Sequence, residues 1–479
     1  MKLFSTKNKN YKVGFREAVL QGLAPDGGLF MPESLPRFSP SFINSLSGLS
    51  FSELSFRLAR EILADEILSG EIPERDLERI VYTALNFDAP LVQLDSNTSV
   101  LELFHGPTLA FKDFGARFLA GIISHYGLEK TVVLVATSGD TGSAVANGFH
   151  NVPGVDVIIL YPSGKVSRIQ EQQLTTLGGN VTALEVNGTF DDCQRMVKEA
   201  FADASLRKRF NLSSANSINI ARLLPQSLYY FYAATRPTAD GRPLVFSVPS
   251  GNFGNLTAGL FAMQMGLPVH RFIAAVNSND IFPNYLQTGK FEPKPSIPTL
   301  SNAMDVGNPS NFARIQALFG NAVAAGKIIF SRSYFDPQTL EAIREIHTRH
   351  NYLMDPHGAV AYLALQDYLH STSPGSDSHT PSNDSHTPSN DSHTPSSDSH
   401  TPANNMSSST DLNHAARHNN FNSIILETAH PAKFAETVEQ ATGAKVTIPE
   451  ALSRCMQLKK QSTKVDPSVF FINHCLSLL

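Results

Sequence analysis

The stretch Ser250-Gly251-Asn252-Phe253-Gly254-Asn255 decides the fold, because it joins an apolar, β-branched segment to a helix-forming one. Residues 244–248 predict a buried parallel strand, and residues 256–263 predict a helix. Two glycines with small polar neighbours let the backbone approach a ligand closely. A helix start adds unpaired N–H groups at the positive end of its dipole. The stretch therefore predicts a phosphate-binding loop in an α/β fold.

The sequence lacks two common phosphate-binding patterns, and this narrows the classes of ligand that the loop could bind. A dinucleotide-binding fold would place G-x-G-x-x-G early in the chain, and a P-loop would continue with Lys and then Ser or Thr. Neither pattern is found here, and no Lys or Arg lies in the loop or in the first turn after it. A cradle of backbone groups suits the phosphate of a small cofactor, such as pyridoxal phosphate. A glycine-rich turn without a ligand is the alternative.

The composition is that of a soluble globular protein. The chain has 479 residues, a length that is enough for two or three domains. Of these residues 42% are hydrophobic and 17% are charged. A net charge of −5 disfavours a nucleic-acid partner, and no apolar stretch is long enough to span a membrane. The three cysteines, Cys193, Cys455 and Cys475, are far apart and lack metal-site spacing. We therefore expect a cytoplasmic protein with reduced thiols, no metal site and no nucleic-acid or membrane partner.

Apolar strands alternate with helices along most of the chain. The predicted strands are residues 132–136, 157–161, 244–248, 272–276 and 424–426. This alternation predicts open, mostly parallel sheets flanked by helices, with ligands bound beyond the carboxyl ends of the strands. We expect an amino-terminal segment (1–90), a cofactor-binding α/β region (91–370), an insertion (371–410) and a carboxy-terminal completion of the catalytic fold (411–479).

The insertion is recognised by a repeat. Asp377-Ser378-His379-Thr380-Pro381-Ser382-Asn383 recurs from Asp384, from Asp391 and, truncated, from Asp398. Its period is seven, but it has no apolar seam and is therefore not a coiled coil. A segment of Ser, Asp, Pro and Asn without aromatic residues predicts disorder. The repeated histidines suggest metal binding, and repeat expansion in a tolerant surface loop is the favoured alternative.

Lys112 is the candidate nucleophile. It is the one lysine in an otherwise apolar run, residues 106–114, before a predicted helix. Burial lowers the pKa of a lysine, and this makes the amine available as a Schiff-base nucleophile and later as a general base. The alternative is an ordinary ion pair with Asp113 at a helix start.

Three further clusters are candidates for ligand binding. Residues 138–142 follow a strand directly, and their hydroxyl and N–H groups suit a substrate carboxylate, although they would serve equally well as a helix cap. Residues 216–222 offer amides, a hydroxyl and a guanidinium for a phosphate, with a solvated helix face as the alternative. Thr428 ends a strand on the predicted ligand-binding edge, and capping of the next helix is its alternative role.

Taken together, these motifs resemble the threonine synthase family. The resemblance spans nearly the whole chain except the insertion, and the motifs occur in the family's order. They are residues 21–29, Phe111-Lys112-Asp113, Ser138-Gly139-Asp140-Thr141-Gly142, residues 250–255, residues 302–307 and residues 428–434. The resemblance implies a fold-type II pyridoxal phosphate enzyme that converts O-phospho-L-homoserine and water into L-threonine and phosphate.

The resemblance also assigns roles to single residues. Lys112 would hold the cofactor as a Schiff base and move protons, and Thr428 would face the pyridine nitrogen. The remaining cofactor contacts would be Gly251, Asn252, Phe253, Gly254 and Asn255. The substrate carboxylate would bind at Ser138, Asp140 and Thr141, and the leaving phosphate at Ser217 and Arg222.

The resemblance leaves two alternatives open. One is another enzyme of the same fold, such as a serine/threonine dehydratase or a cysteine synthase. The other is a cofactor-binding homologue without turnover. In each case we expect a small-molecule ligand and a monomer or small homo-oligomer.

Overall fold

A computed structural model describes residues 1–127, 131–236, 242–372 and 420–468. The predicted insertion, 371–410, lies outside these ranges from residue 373 onward. The prediction that its repeat is disordered therefore concerns residues that the structure does not describe. Cys475 also lies outside them. Within them, the chain forms two mostly parallel sheets flanked by helices and one small antiparallel sheet.

The larger parallel sheet contains the strand that enters the phosphate-binding loop. Its six strands, in spatial order, are Ile329–Ser333, Val269–Val276, Leu244–Pro249, Asn422–Glu427, Thr98–Glu102 and Leu91–Gln93. Neighbouring strands are parallel except for the antiparallel pair at the Leu91–Gln93 edge. Val245, Phe246 and Val248 are fully buried, because helices cover both faces of a parallel sheet.

The smaller parallel sheet contains the strand before the Ser138 loop. Its five strands, in spatial order, are Thr463–Val465, Val181–Val186, Val155–Pro162, Thr131–Ala136 and Asn211–Ser214, all parallel. The five strands predicted from the sequence are therefore confirmed, with ends that differ by at most three residues. They are divided between two sheets.

The amino-terminal region packs onto this α/β body. It contains an antiparallel sheet of Lys12–Gly14, Lys2–Ser5 and Phe30–Pro32, in that spatial order. Its longer helices, Phe51–Ile62 and Glu74–Ala84, are amphipathic and pack against each other. Their buried residues join a hydrophobic core that includes residues of both parallel sheets.

Helices connect and cover the strands. The first half of the chain has helices Phe15–Gln21, Pro40–Asn44, Phe51–Ile62, Ala64–Leu68, Glu74–Ala84, Lys112–Tyr126, Asp140–Phe149, Arg168–Thr175, Phe190–Ala202, Ala204–Arg209, Ile220–Leu223 and Leu228–Ala234. The second half has helices Gly254–Gln264, Ile281–Thr288, Phe312–Phe319, Ala322–Gly326, Asp336–His350, Pro356–Thr372, Ala435–Thr442 and Glu450–Met456. Short 3₁₀ turns cover Leu224–Ser227, Asn302–Met304 and Pro431–Phe434. None of the helices in the described ranges is long and apolar enough to cross a membrane.

Candidate active site

Lys112 is the first residue of helix Lys112–Tyr126, and backbone hydrogen bonds fix the segment before it. The N–H of Phe111 donates to the carbonyl of Thr428 at 2.9 Å, and the N–H of His430 donates to the carbonyl of Leu109 at 3.1 Å. Leu109 has a φ of +57°, a conformation that costs energy for a residue with a side chain. The backbone thus ties the candidate nucleophile directly to Thr428.

The side chain of Asp113 turns away from Lys112. Its carboxylate accepts the N–H of Thr108 at 2.8 Å and the hydroxyl of the same residue at 2.7 Å. Burial raises the pKa of Asp113 to about 6, against the opposing effect of these hydrogen bonds. A Cβ at Gly106 would lie 2.4 Å from the carboxylate, so the tight turn before it requires glycine. The alternative role of Lys112, an ion pair with Asp113, is therefore wrong.

The amine of Lys112 makes no hydrogen bond or ion pair with any residue that the structure describes. Burial lowers its pKa to about 8, although the nearby Asp140 carboxylate opposes this shift. Lys433 and Arg222 add to the lowering by charge repulsion. The amine is therefore a much better nucleophile and base at neutral pH than an ordinary lysine.

The phosphate-binding loop leads into helix Gly254–Gln264, whose amino terminus has no side-chain cap. The residue at its N-cap, Phe253, has a φ of +57°, which is strained for a phenylalanine. Uncapped N–H groups at the start of an eleven-residue helix are available to an anion. The local structure is the one that the sequence predicted for this stretch.

The loop also has the close contacts that a backbone cradle requires. A Cβ at Gly251 would lie 2.6 Å from the Cα of Met304, and a Cβ at Gly254 would lie 3.1 Å from the Cβ of Ser217. The amide oxygen of Asn255 accepts two tyrosine hydroxyls, at 2.6 and 2.7 Å, and its buried amide nitrogen has no partner among the described residues. A buried donor without a partner is costly unless a ligand accepts from it. The loop therefore fits the phosphate of pyridoxal phosphate.

The Ser138 loop is held by the residue before it. The hydroxyl of Thr137 accepts the N–H of Gly139 at 2.9 Å and the N–H of Gly142 at 2.8 Å. Gly139 has a φ of +140°, and a Cβ there would lie 2.4 Å from the side chain of Gln170. Ser138 and Thr141 line the same cavity as Lys112.

Asp140 differs from its neighbours, because its carboxylate forms a buried ion pair. Its Oδ1 lies 2.6 Å from the amine of Lys433 and accepts the amide of Gln170 at 3.0 Å. Burial disfavours the ionised form of Asp140, but Lys433 and Lys112 outweigh burial and lower its pKa. The predicted contact between Asp140 and the substrate carboxylate is therefore disfavoured, because the Asp140 carboxylate is already paired with the Lys433 amine. Like charges would also repel.

The cluster at residues 216–222 is half-buried from Asn216 to Ile218 and buried from Asn219 to Arg222, so it is not a solvated helix face. The hydroxyl of Ser217 accepts the side-chain amides of Asn252 at 2.9 Å and Asn311 at 3.0 Å. Arg222 is 2% exposed and donates through Nη1 to the carbonyl of Ala215, and its Nε has no partner among the described residues. Burial lowers the pKa of Arg222 to about 10, with a small opposing effect of Asp113. A buried cation with a free donor suits an anionic ligand.

Arg314 supports this cluster from outside the cavity. Its fully buried guanidinium donates to the carbonyls of Phe30, Ser217 and Ile218 and to the side chain of Asn311, at 2.6–3.1 Å. Arg314 thus joins the amino-terminal sheet to the residues around Ser217. No local sequence pattern predicts this role of Arg314, because three of its partners are backbone carbonyls of distant residues.

Thr428 lines the cavity, and the turn that follows it is capped by His430, whose ring nitrogen accepts the N–H of Ala432 at 3.1 Å. The alternative role of Thr428, capping this turn, is therefore filled by another residue.

His357 also lines the cavity, although no sequence motif predicted it. Its Nε2 accepts the N–H of Ala303 at 3.2 Å, and its Nδ1 lies 3.1 Å from the Asp355 carboxylate.

The structure brings the predicted site residues to one cavity, with Asp140 directly behind its wall. The predicted residues that line it are Lys112, Ser138, Thr141, Ser217, Arg222, Gly251, Asn252, Phe253, Gly254, Asn255 and Thr428. No group of three or more metal-binding side chains occurs in the described ranges. A cleft of about 750 Å³ shares Ala136, Gln194, Asn216 and Asn252 with the cavity and opens toward the amino-terminal sheet.

Comparison with family models covers most of the chain. Residues 2–85 match "Threonine synthase N terminus", residues 86–379 match "Pyridoxal-phosphate dependent enzyme", and residues 407–471 match "Threonine synthase, C-terminal".

Individual proteins give the same result. The threonine synthase of Haemophilus influenzae is 41% identical over 468 residues, which are 97% of this chain and 97% of the relative. That of Escherichia coli K12 is 42% identical over 455 residues, 95% of this chain and 94% of the relative. The crystal structure of the Escherichia coli threonine synthase superposes with a TM-score of 0.84 at 40% identity, covering 99% of this chain and 100% of the other. The threonine synthase of Brucella melitensis, solved with pyridoxal phosphate bound, gives a TM-score of 0.81 at 33% identity and covers 99% and 98%.

Proposed function

Because the chain belongs to the threonine synthase family, we propose that it makes L-threonine at the cavity around Lys112. The chain is a threonine synthase, a pyridoxal phosphate-dependent lyase that acts on O-phospho-L-homoserine and water. The observation that carries the assignment of the site is an unpaired lysine amine with a lowered pKa in the same cavity as an uncapped phosphate-binding loop.

The reaction moves protons at three carbons of the substrate. The Cγ–O bond breaks and releases phosphate, Cγ gains a proton to become a methyl group, and Cβ loses one proton and gains the hydroxyl of water. When bound, pyridoxal phosphate supplies the electron sink for these steps. Lys112 holds the cofactor and then, as a free amine, carries protons at Cα, Cβ and Cγ. A pKa of about 8 suits both accepting and releasing a proton near neutral pH.

The two charged ends of the substrate need separate binding sites. Ser138 and Thr141 offer hydroxyls for the substrate carboxylate, and the start of helix Asp140–Phe149 adds N–H groups. Arg222 and Ser217 bind the leaving phosphate, because a buried guanidinium with a free N–H is the strongest anion ligand in the cavity. Asp140 contributes through its position on the loop, since its carboxylate is paired with Lys433.

The cofactor is held at its two ends. The residues from Gly251 to Asn255 bind its phosphate through backbone N–H groups and the free amide of Asn255. Thr428 lines the cavity and would offer its neutral hydroxyl to the pyridine nitrogen; a hydroxyl donates a hydrogen bond but would not stabilise a positively charged ring as a carboxylate would. The hydrogen bond from the N–H of Phe111 to the carbonyl of Thr428 holds the backbone of Thr428 beside the segment that ends at Lys112.

We further propose that the protein works in the cytoplasm on its small-molecule substrate, as a monomer or a small homo-oligomer. The cleft of about 750 Å³ next to the cavity gives the substrate its route to Lys112.

The test is turnover by the purified protein. With pyridoxal phosphate and O-phospho-L-homoserine we expect phosphate and L-threonine in equal amounts, and the Lys112→Ala variant is the matched control for phosphate released without the enzyme. Turnover of serine or threonine to 2-oxo acids, without use of the phosphorylated substrate, would instead assign a dehydratase. Cofactor binding without any turnover would assign an inactive homologue.

A further inference from the structure

Lys433 is a buried lysine near the cavity that contains the Lys112 amine, and the mechanism above assigns it no role. It lies in the 3₁₀ turn Pro431–Phe434, five residues after Thr428, and its side chain is fully buried. A buried ammonium is stable only when it is paired and hydrogen-bonded. Its partners therefore indicate what it does.

Lys433 joins three separate parts of the site. Its amine lies 2.6 Å from the Asp140 carboxylate, at the start of the helix that follows the Ser138 loop. The same amine donates at 3.0 Å to the carbonyl of Thr108, in the turn before Lys112. The side-chain amide of Gln170 donates to the same carboxylate oxygen, Oδ1, at 3.0 Å. The amine thus holds the start of helix Asp140–Phe149, at the carboxyl ends of the strands of the smaller sheet, against the segment that positions Lys112.

The charges near Lys112 give this pair a chemical consequence. The Asp140 carboxylate acts on the Lys112 amine and favours its protonated form. Lys433 and Arg222 act in the opposite direction. Without the positive charge of Lys433, Lys112 would be left as the positive charge that acts on the Asp140 carboxylate. Protonated and paired, Lys112 could neither react with the cofactor nor accept a proton.

We propose that Lys433 is a positioning residue that occupies the Asp140 carboxylate and so keeps the Lys112 amine unpaired. This proposal rests on the proposed function for the role of Lys112, but it is a statement about the apoprotein and is measured there. A purely structural ion pair would stabilise the fold and would leave the reactivity of Lys112 unchanged.

The experiment compares the acidity of Lys112 in apoprotein variants. The amine is labelled with a limiting amount of an amine-reactive acylating reagent between pH 6 and 11, and labelling of the Lys112 peptide is quantified by mass spectrometry. Lys433→Met removes the charge and keeps the length of the side chain. We expect it to move the midpoint for Lys112 upward by at least one pH unit and to slow labelling below pH 8 about tenfold.

Two further variants separate charge from packing. Lys433→Met combined with Asp140→Asn removes both charges, and we expect the Lys112 midpoint to return to the wild-type value or below it. Lys433→Gln keeps a donor toward Asp140 without the charge, and we expect a rise like that of Lys433→Met. The double variant leaves no unpaired buried charge and therefore tests the proposal even if the single variants unfold.

The control is Lys460→Met, which breaks an ion pair with Glu171 and Glu185 away from the cavity and leaves Lys112 labelling unchanged. An unchanged Lys112 midpoint in folded Lys433→Met would overturn the proposal. So would a midpoint that stays raised in the double variant. Labelling requires no turnover, so a failure of this proposal is distinct from a failure to form threonine in the wild-type protein.

Discussion

Replacing Arg222 by Met should separate substrate binding from folding. The guanidinium is 2% exposed, has a free Nε and has no carboxylate within ion-pair distance among the described residues. Met keeps most of the length and volume of the side chain and removes the charge. Because a buried guanidinium is well suited to bind a phosphate, removing the charge of Arg222 should weaken the use of the phosphorylated substrate.

The size of the effect follows from the burial of the charge. Truncating one partner of a buried, hydrogen-bonded charge pair costs about 2–5 kcal/mol. At about 1.4 kcal/mol per factor of ten, kcat/KM for O-phospho-L-homoserine should fall roughly 30- to 5,000-fold. The stability should not fall in parallel, because burial already disfavours this charge and lowers the pKa of Arg222 to about 10. We therefore expect only a small fall in melting temperature, because among the described residues only the carbonyl of Ala215 loses a side-chain donor.

The assay combines phosphate release, cofactor affinity and thermal unfolding. Arg314→Met is the matched comparison, since Arg314 is equally buried but donates to carbonyls and an amide. The Arg314→Met variant should unfold at a clearly lower temperature. Its free energy of unfolding should fall by about 3 kcal/mol or more, because several buried acceptors lose their donor.

Two results would refute this account of Arg222. Cofactor affinity that falls while KM for the substrate is unchanged would place the guanidinium at the cofactor phosphate. Wild-type kinetics in the folded variant would remove Arg222 from the site altogether.

Three other substitutions test the remaining parts of the site. Lys112→Ala should lower threonine formation by more than the roughly 100- to 10,000-fold expected for loss of a general base alone, and borohydride should no longer fix the cofactor to the 106–114 peptide; turnover at the wild-type rate contradicts the assignment. Gly251→Ala places a Cβ 2.6 Å from the backbone of Met304, so the dissociation constant for pyridoxal phosphate should rise at least tenfold, and unchanged cofactor titrations would show that the loop yields without cost. Thr428→Asp should keep the cofactor, raise the pKa of its ring nitrogen and shift product toward 2-oxobutanoate; an unchanged nitrogen-15 shift of labelled cofactor would place Thr428 away from the ring.

The sequence was sufficient for the elements that have a local signature. Each predicted strand is a short apolar run with a polar turn at its carboxyl end, and such runs form the interior of parallel sheets whatever their neighbours are. Lys112 and the residues from Gly251 to Asn255 were predicted for the same reason. Their special roles arise from chain geometry within a few residues.

The rest depends on contacts between distant parts of the chain. At the start of a helix, Asp140 has the same local pattern whether it meets a substrate or a lysine, and its partner Lys433 comes from the carboxy-terminal region. His357 and Arg314 hold backbone groups of remote loops. The division of the strands into two sheets is likewise a matter of pairing order, which no single strand encodes.

The position of strand Asn422–Glu427 determines when the active site comes into being during synthesis. This strand lies in the middle of the larger sheet, between Leu244–Pro249 and Thr98–Glu102, although it is the last of the six to leave the ribosome. Until it arrives, two strand edges have no partner, and Phe111 has no Thr428 carbonyl to bind. Pairing over such long sequence separations is slow, so the nascent chain carries an open, association-prone sheet late into synthesis. An incomplete chain that ends before Asn422 would therefore acquire neither an ordered Lys112 nor a closed sheet, and chaperones would meet it as an unfinished domain.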